Sequence, residues 1–335
     1  MTVEVDTIRL RGRVKNADSI TNLAHVRASR LLEPRGKVDG DGYTLVAGSD
    51  TLRSGARIQV DIANQGVPEA AVEFSAPKVA NGHNVVALPL REALDVARSV
   101  YEEASELVDW AQPFDLMRVG RLDLDRDFEQ VEHAGPLLSA LSKVRAPYNP
   151  KTRYYPDPEK GNAATLTRGP AARWLATLYD KHGEALHRHR YAQPHDKQKA
   201  QQELTQAEGR LRYELRLRPE AMGKNLRLVR DLNDDDLTRL RRGYFDRVGY
   251  GLEVSGMQRA AALVMEHDEW RVNSRLALLG WLLVESQGLP VEISRNKASG
   301  YRKRAGEVGV TAADLVDMAS TSVRLDFDSA RMVAA

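Results

Sequence analysis

Nine consecutive residues, Arg210 to Arg218, alternate without exception: Leu211, Tyr213, Leu215 and Leu217 stand at odd positions, with four arginines and Glu214 at even ones. Side chains of a β-strand point to opposite faces with a period of two, so this segment is a strand with one apolar and one charged face. Such a strand needs an apolar layer on one side and, on the other, partners for four arginines and one acid. A sheet covered on one face by helices meets both demands.

The preceding chain supplies the other strands. The first ninety residues are rich in glycine and β-branched residues, and Ile58, Val60 and Ile62 alternate with Gln59 and Asp61, which predicts sheet. Leu94, Val96, Val100, Leu107 and Val108 recur at helical spacing and predict an amphipathic helix over Arg91 to Trp110. A strand over Met117 to Asp125 and a helix from Phe128 to Val144 follow, then a loop rich in proline and lysine, Ala146 to Gly161. Strands over Ala164 to Arg168 and Trp174 to Asp180 and a polar helix over Lys197 to Gln206 lead to the alternating strand. Beyond Pro219, stripes such as Leu276, Leu279 and Leu283 predict helices, and strand signals nearly vanish. The order predicts an α+β fold, an antiparallel sheet with helices packed on one face over residues 1–220, followed by a smaller helical domain over 221–335.

Composition removes whole classes of function. The 335 residues include no cysteine, which excludes disulfides, thiolate metal sites and cysteine nucleophiles. The longest apolar run, Leu276 to Val284, is too short for a hydrocarbon layer of about 30 Å, so no membrane span is expected. The opening Met-Thr-Val-Glu-Val-Asp carries acid where a signal peptide needs base, and the cytoplasm is the expected compartment. Net charge is only +2, yet Leu186 to Arg230 holds 11 Lys or Arg against 5 Asp or Glu, 11 − 5 = +6. A second cluster, Arg295, Lys297, Arg302, Lys303 and Arg304, contains no acid. Local basic patches on a near-neutral protein point to a phosphate backbone, and the alternative is a solvated helix face.

Three acids and one phenol are candidates for chemistry. Alternation puts Asp123 and Asp125 on the same face of their strand, roughly 7 Å apart. If the strand of Glu214 is its neighbour, the three carboxylates form a hard oxygen site for Mg²⁺ or Mn²⁺; the alternative is cross-strand ion pairing with Arg212 or Arg216. Tyr191 follows Arg188 and Arg190 and precedes Lys197 and Lys199, as suits a nucleophile whose target phosphate is held by cations. The alternative is a packing residue, the ordinary role of most of the eleven tyrosines. No phosphate-binding glycine loop or dinucleotide fingerprint is present.

Four segments together resemble the replication initiation proteins of filamentous bacteriophages, the gene II/gene X family. Ser75 to Val85, with Ser75-Ala76-Pro77-Lys78 and Gly82-His83-Asn84, resembles the family's serine-proline-alanine-lysine segment ending in glycine-histidine-asparagine. Arg121-Leu122-Asp123 resembles its arginine-isoleucine-aspartate strand, Trp174 to Glu184 the strand leading into its nucleophile-bearing helix, and Leu211 to Arg216 its valine-arginine-phenylalanine-glutamate-alanine-arginine strand. The likeness covers residues 55 to 220, and Arg218 departs from it where a second glutamate can stand. The first fifty residues match none of its segments.

The resemblance implies rolling-circle initiation: a strand-specific nick at a double-stranded origin, a 5′-phosphotyrosyl link, and closure of the displaced single strand. The family's tyrosine lies about two dozen residues before the glutamate, and 214 − 191 = 23. Tyr191, with Lys197 beyond it, is therefore the implied catalytic pair. Asp123, Asp125 and Glu214 are the implied ligands of Mg²⁺ or Mn²⁺, with His83 either a ligand or a residue that fixes a turn. His187 and His189 are set aside, because Arg188 stands where the nickase motif has an apolar residue. DNA contacts are expected at Arg188, Arg190, Lys199, Arg212, Arg216, Arg302, Lys303 and Arg304. Implied partners are duplex origin and single-stranded DNA and a host helicase and polymerase in the bacterial cytoplasm. The alternative function is a non-catalytic DNA-binding regulator of a phage or plasmid.

Overall fold

The structure, a computed structural model, describes residues 2–15, 45–62, 68–129, 131, 134–143, 146, 151–155, 164–252, 254–267, 269–286, 293–310 and 322–334. It is α+β, and the chain divides into two compact units. The first comprises Met1–Asp125, Pro170–Leu175 and Glu214–Arg241, and the second Arg126–Gly169, Ala176–Tyr213 and Arg242–Ala335.

The first unit is built on β1 (Glu4–Arg13), β2 (Leu45–Thr51), β3 (Arg57–Ile62), β4 (Pro68–Ser75), the greater part of β6 (Arg118–Phe128) and the end of β10 (Leu211–Leu217), in the order β2-β3-β4-β1-β6-β10. β1 runs antiparallel to both β4 and β6, and the short β5 (Leu88–Pro89) pairs with its start. Alternation sends Val5, Ile8, Leu10, Val72, Phe74, Leu122 and Leu124 into one apolar layer, where all are buried. Helix α1 (Ala76–Asn81) closes at Gly82, whose φ of 74° is left-handed and whose N–H donates to Lys78 O, the standard way to satisfy a terminal carbonyl. Helix α2 (Leu90–Ser105) buries a stripe of small residues, Ala93, Ala97, Val100 and Ala104.

One irregularity bears on the chemistry. The β1–β6 register pairs Val5 with Leu124 and Ile8 with Leu122, so Asp6 and Thr7 together stand opposite the single residue Asp123. This is a β-bulge, a device that re-aims a side chain. Asp6 is buried, and Ser75 Oγ donates to its Oδ1 at 2.6 Å rather than capping α1.

The second unit contains β7 (Thr152–Tyr155), β8 (Thr165–Arg168), most of β9 (Trp174–Asp180) and the start of β10, in the order β10-β9-β8-β7. Its helices include α3 (Ala134–Lys143), α4 (Lys181–Tyr191) and α5 (Lys197–Gln206). After the short α6 (Pro219–Met222) of the first unit, α7 (Asp234–Val248) enters this unit at Arg242. α8 (Gly256–Glu266), α9 (Val272–Ser286) and α10 (Arg295–Glu307) follow. Tyr213 packs edge-on against Phe245, Tyr250 and Phe327, and the Tyr250 hydroxyl donates to Leu166 O at 3.0 Å and Ala176 O at 2.9 Å.

Three sequence expectations are corrected. Strand does not vanish after Pro219: β11 (Val254–Ser255), β12 (Ser322–Asp326) and β13 (Arg331–Ala334) form an antiparallel three-stranded sheet. Its signal was the alternation of Val323, Leu325 and Phe327 with Arg324 and Asp326. The loop over Ala146 to Gly161 contains β7, and its remainder falls largely outside the described residues. Phe128 closes β6 and stacks on Phe245 instead of opening a helix.

Phenylalanine at position 250 keeps the ring packing and removes only the hydroxyl that ties Leu166 to Ala176. Tyr250→Phe is expected to cost about 1–2 kcal/mol in urea unfolding; an unchanged midpoint would show that the hydroxyl carries no stability.

Candidate active site

In the first unit, the polar face of β6 and β10 gathers charge that cannot enter the apolar layer. Asp123 is only 1% exposed and receives Arg121 Nε at 2.9 Å, while Arg121 Nη1 reaches Glu73 at 2.6 Å. Arg216 lies 3.5 Å from Asp123 and 3.3 Å from Glu214, and Arg9 lies 3.4 Å from Glu73. Cross-strand ion pairing therefore exists, through Arg216 as the sequence allowed and through Arg121 and Glu73, which it did not single out.

Acids still crowd one another here. Burial first, then the charges of Asp123 and Asp6, push the Glu214 carboxyl up to about 7, against the opposing pull of Arg216 and Arg121. For Arg121, burial favours the neutral form, but Asp123, Glu73 and Glu214 outweigh it and hold the guanidinium charged. The sequence brought Asp123 and Glu214 together correctly and missed Asp6, whose approach depends on the bulge. Asp125 is equally buried, and its backbone carbonyl accepts from the fully buried Arg241. His83 sits in the turn after α1, with Nδ1 buried and no hydrogen-bond partner among the described residues. Among the described residues, no three His, Asp or Glu side chains are disposed to hold one metal ion. Asp123, Asp125, Glu214 and His83 thus do not form a ready-made cage.

In the second unit, α4 carries Tyr191 as its last residue, and ion pairs brace that helix. Lys181 is fully buried and reaches Glu184 at 2.8 Å; Arg188 reaches Glu203 of α5 at 2.9 Å and Glu184 at 3.5 Å. Burial works against the Glu184 carboxylate, but Lys181, Arg188 and Arg212 together pull its proton affinity below the ordinary value. The backbone N–H of Lys181 donates to Arg210 O at 3.1 Å, fastening the start of α4 to the strand side. Lys197 Nζ donates to His189 O at 2.7 Å, a carbonyl at the helix end that otherwise receives only the longer bond from the Ala192 N–H at 3.4 Å among the described residues. A cation there also offsets the negative end of the helix dipole, which would otherwise repel a phosphate.

Tyr191 is 68% exposed, the most open tyrosine among the described residues, and its ring lies 4.7 Å from that of His187 one turn earlier. Tyr155 is 44% exposed, Tyr179 lies beneath Lys181, and Tyr154 donates to Glu266 at 3.0 Å. Burial and Glu266 both raise the Tyr154 phenol above its ordinary value, which disfavours it as a nucleophile.

The expected DNA contacts separate into two kinds. Arg212 is fully buried and grips Asp127 through Nε at 2.6 Å and Nη2 at 2.8 Å, so its charge is used inside the protein and the expectation fails there. Arg188 and Arg216 are likewise engaged with carboxylates: Arg216 with Asp123 and Glu214, as alternation allowed, and Arg188 with Glu203, which charge alone could not reveal. Arg190, Lys199, Arg302, Lys303 and Arg304 are exposed.

Residues 15–235, more than half of the chain, match a phage family model described as the N-terminal region of the gene II-type replication-associated protein. A search of the curated proteins finds no match.

The raised Glu214 pKa has a definite sign. Between about 4.5, the unfolded value, and about 7, the folded state holds the extra proton, so stability falls as pH rises through that window and levels off above it. In a chelator-containing buffer, Glu214→Gln is expected to lessen the fall in Tm between about pH 5 and pH 7. An identical pH profile in the variant would show that Glu214 does not titrate there.

Proposed function

We propose that this chain, which belongs to the phage family of gene II-type replication-associated proteins, initiates rolling-circle replication by nicking one strand of the origin, with Tyr191 as nucleophile. The observation that carries the reading is Tyr191 itself: an open phenol on a helix braced by Lys181, Glu184, Arg188 and Glu203, with Arg190 beside it. Tyr191 Oη attacks the scissile phosphorus, the bond from phosphorus to the 3′-oxygen breaks, and the 3′-hydroxyl departs with a proton. The product is a 5′-phosphotyrosyl ester. Because that ester keeps the energy of the broken bond, attack by a 3′-hydroxyl rejoins the strand and frees the phenol without ATP. The absence of a phosphate-binding glycine loop accords with this chemistry.

The carboxylates of Asp123 and Glu214 suit a hard cation, Mg²⁺ or Mn²⁺, and the crowding that raises Glu214 is the condition a cation relieves. When bound, such an ion polarises a phosphate and offsets charge that develops in the transition state. Asp125 and His83 are candidates to complete the ligand set. Arg121 holds Asp123 oriented, and Arg216 lies beside both carboxylates. Residues 221–335 are assigned to duplex binding and residues 1–220 to cutting, in the host cytoplasm and alongside a host helicase and polymerase.

Tyr191→Phe is expected to lower nicking of a single-stranded origin oligonucleotide by on the order of 10³-fold or more, while Tm and duplex binding stay near the parent's. Nicking at the parent rate would remove Tyr191 from the mechanism, and a parent that binds but never cuts would favour the non-catalytic regulator. Asp123→Asn is expected to lose activity that higher Mn²⁺ partly restores. Loss of the folded state instead, on the scale of about 3–5 kcal/mol for an unpaired buried charge, would mark Asp123 as a purely structural partner of Arg121 and Arg216.

A further inference from the structure

Helix α10 (Arg295–Glu307) lies outside the part of the chain that matches the family model. Successive residues of a helix turn by about 100°, and its side chains sort into four lines. Tyr301 and Ala305 face the apolar cluster of Val264, Leu278, Trp281 and Leu282, with Tyr301 stacked on Trp281 at 5.6 Å, and helical spacing puts the half-buried Ala298 on the same side. Opposite them, Asn296, Ser299, Gly300, Lys303 and, at the helix end, Glu307 form an exposed outer line. Arg295 and Arg302 flank that line on one side, Lys297 and Arg304 on the other, each pair two turns or about 10 Å apart along the axis. With Lys303 on the outer line, the exposed surface of α10 carries five cations against the single acid Glu307, a surplus that suits a phosphate backbone.

The flanking guanidiniums are also held in place. Arg302 lies over the Trp281 ring at 5.9 Å and Arg304 over Trp270 at 5.8 Å, and both tryptophans belong to or pack against the cluster beneath α10. Stacking of this kind lowers the entropy lost when the charge meets a ligand. Arg302 also reaches Glu285 at 3.0 Å, but an exposed pair of this type contributes little and exchanges readily for phosphate. Ser294 accepts from the Lys297 N–H at 3.3 Å and fixes where the helix begins.

From this arrangement we propose that α10 enters the major groove of duplex DNA and reads sequence there, an inference that rests on the origin-binding reading and adds how the duplex is recognised. A helix about 10–12 Å across fills a groove about 12 Å wide. Asn296, Ser299 and Lys303 meet base edges, for which an amide suits adenine, a hydroxyl either donor or acceptor, and an ammonium guanine. The two flanking pairs contact phosphates of the two strands. Gly300 lets the backbone approach closely, since a Cβ there would meet nothing in the protein within 4 Å and would project outward.

The test uses the full-length protein and a pool of duplexes carrying a randomised central segment. The parent is expected to enrich one sequence. The variant Asn296→Ala, Ser299→Ala, Lys303→Ala should lose that preference while still binding duplex, with at least about tenfold less discrimination. The variant Arg295→Ala, Lys297→Ala, Arg304→Ala should enrich the parent's sequence with a log affinity against log salt slope reduced by about 2 to 3. Gly300→Leu should melt at or above the parent's Tm yet bind the selected duplex at least about tenfold more weakly. Unchanged preference in the outer-line variant, or parent-like binding by Gly300→Leu, overturns the proposal. Cleavage of a single-stranded oligonucleotide by the parent, assayed alongside, tests the nicking reading separately.

Discussion

The charged face of β6 and β10 constrains everything placed upon it. Period-two alternation delivers Asp123, Arg121, Glu214 and Arg216 to one surface whether or not their charges can be satisfied, because Leu122, Leu124, Leu215 and Leu217 are committed to the apolar layer. Once Asp123 is withdrawn from water, it needs Arg121 and Arg216, and Arg121 in turn draws in Glu73 from β4. Removing Asp123 withdraws the buried carboxylate that Arg121 and Arg216 share, and breaking a buried pair in this way costs more than the pair itself contributes. The crowding that lifts Glu214 is a consequence of this packing, and the same crowding suits the face to a cation.

The nucleophile helix follows a different logic. α4 is short and highly polar, and an isolated helix of that length is marginal in water. Its stability comes from ties to its surroundings: Lys181 buried at its start, Arg188 joined to Glu203 of α5, and Lys197 on its last carbonyls. Those ties occupy charges that the sequence offers as phosphate ligands. They leave Tyr191 and Arg190 open at the end, so the basic stretch is divided between bracing the helix and presenting the phenol.

Legibility in the sequence tracked how local each signal was. The strand ending at Pro219 and the helix over Lys197 to Gln206 rest on uninterrupted patterns, and the structure has them at Leu211–Leu217 and Lys197–Gln206. β11 is illegible because it has two residues and its partner strand lies far along the chain, whereas β12 does carry a local alternation, Val323, Leu325 and Phe327. Arg212 was misread for a related reason: alternation says which residues share a face, but not that Asp127 waits opposite one of them. Asp6 was invisible because its approach to Asp123 and Glu214 depends on a bulge, an extra residue that no hydrophobic period records.

The central claim is a covalent bond between Tyr191 and the 5′ end of the cut strand, and peptide mapping of the protein–DNA adduct tests it most directly. After reaction with single-stranded origin DNA and Mg²⁺, then nuclease and trypsin digestion, the account predicts a nucleotide monophosphate on the peptide from Tyr191 to Lys197. The same mass addition on a peptide carrying Tyr154, Tyr155 or Tyr179, or no modified peptide from a protein that demonstrably nicks, would contradict it.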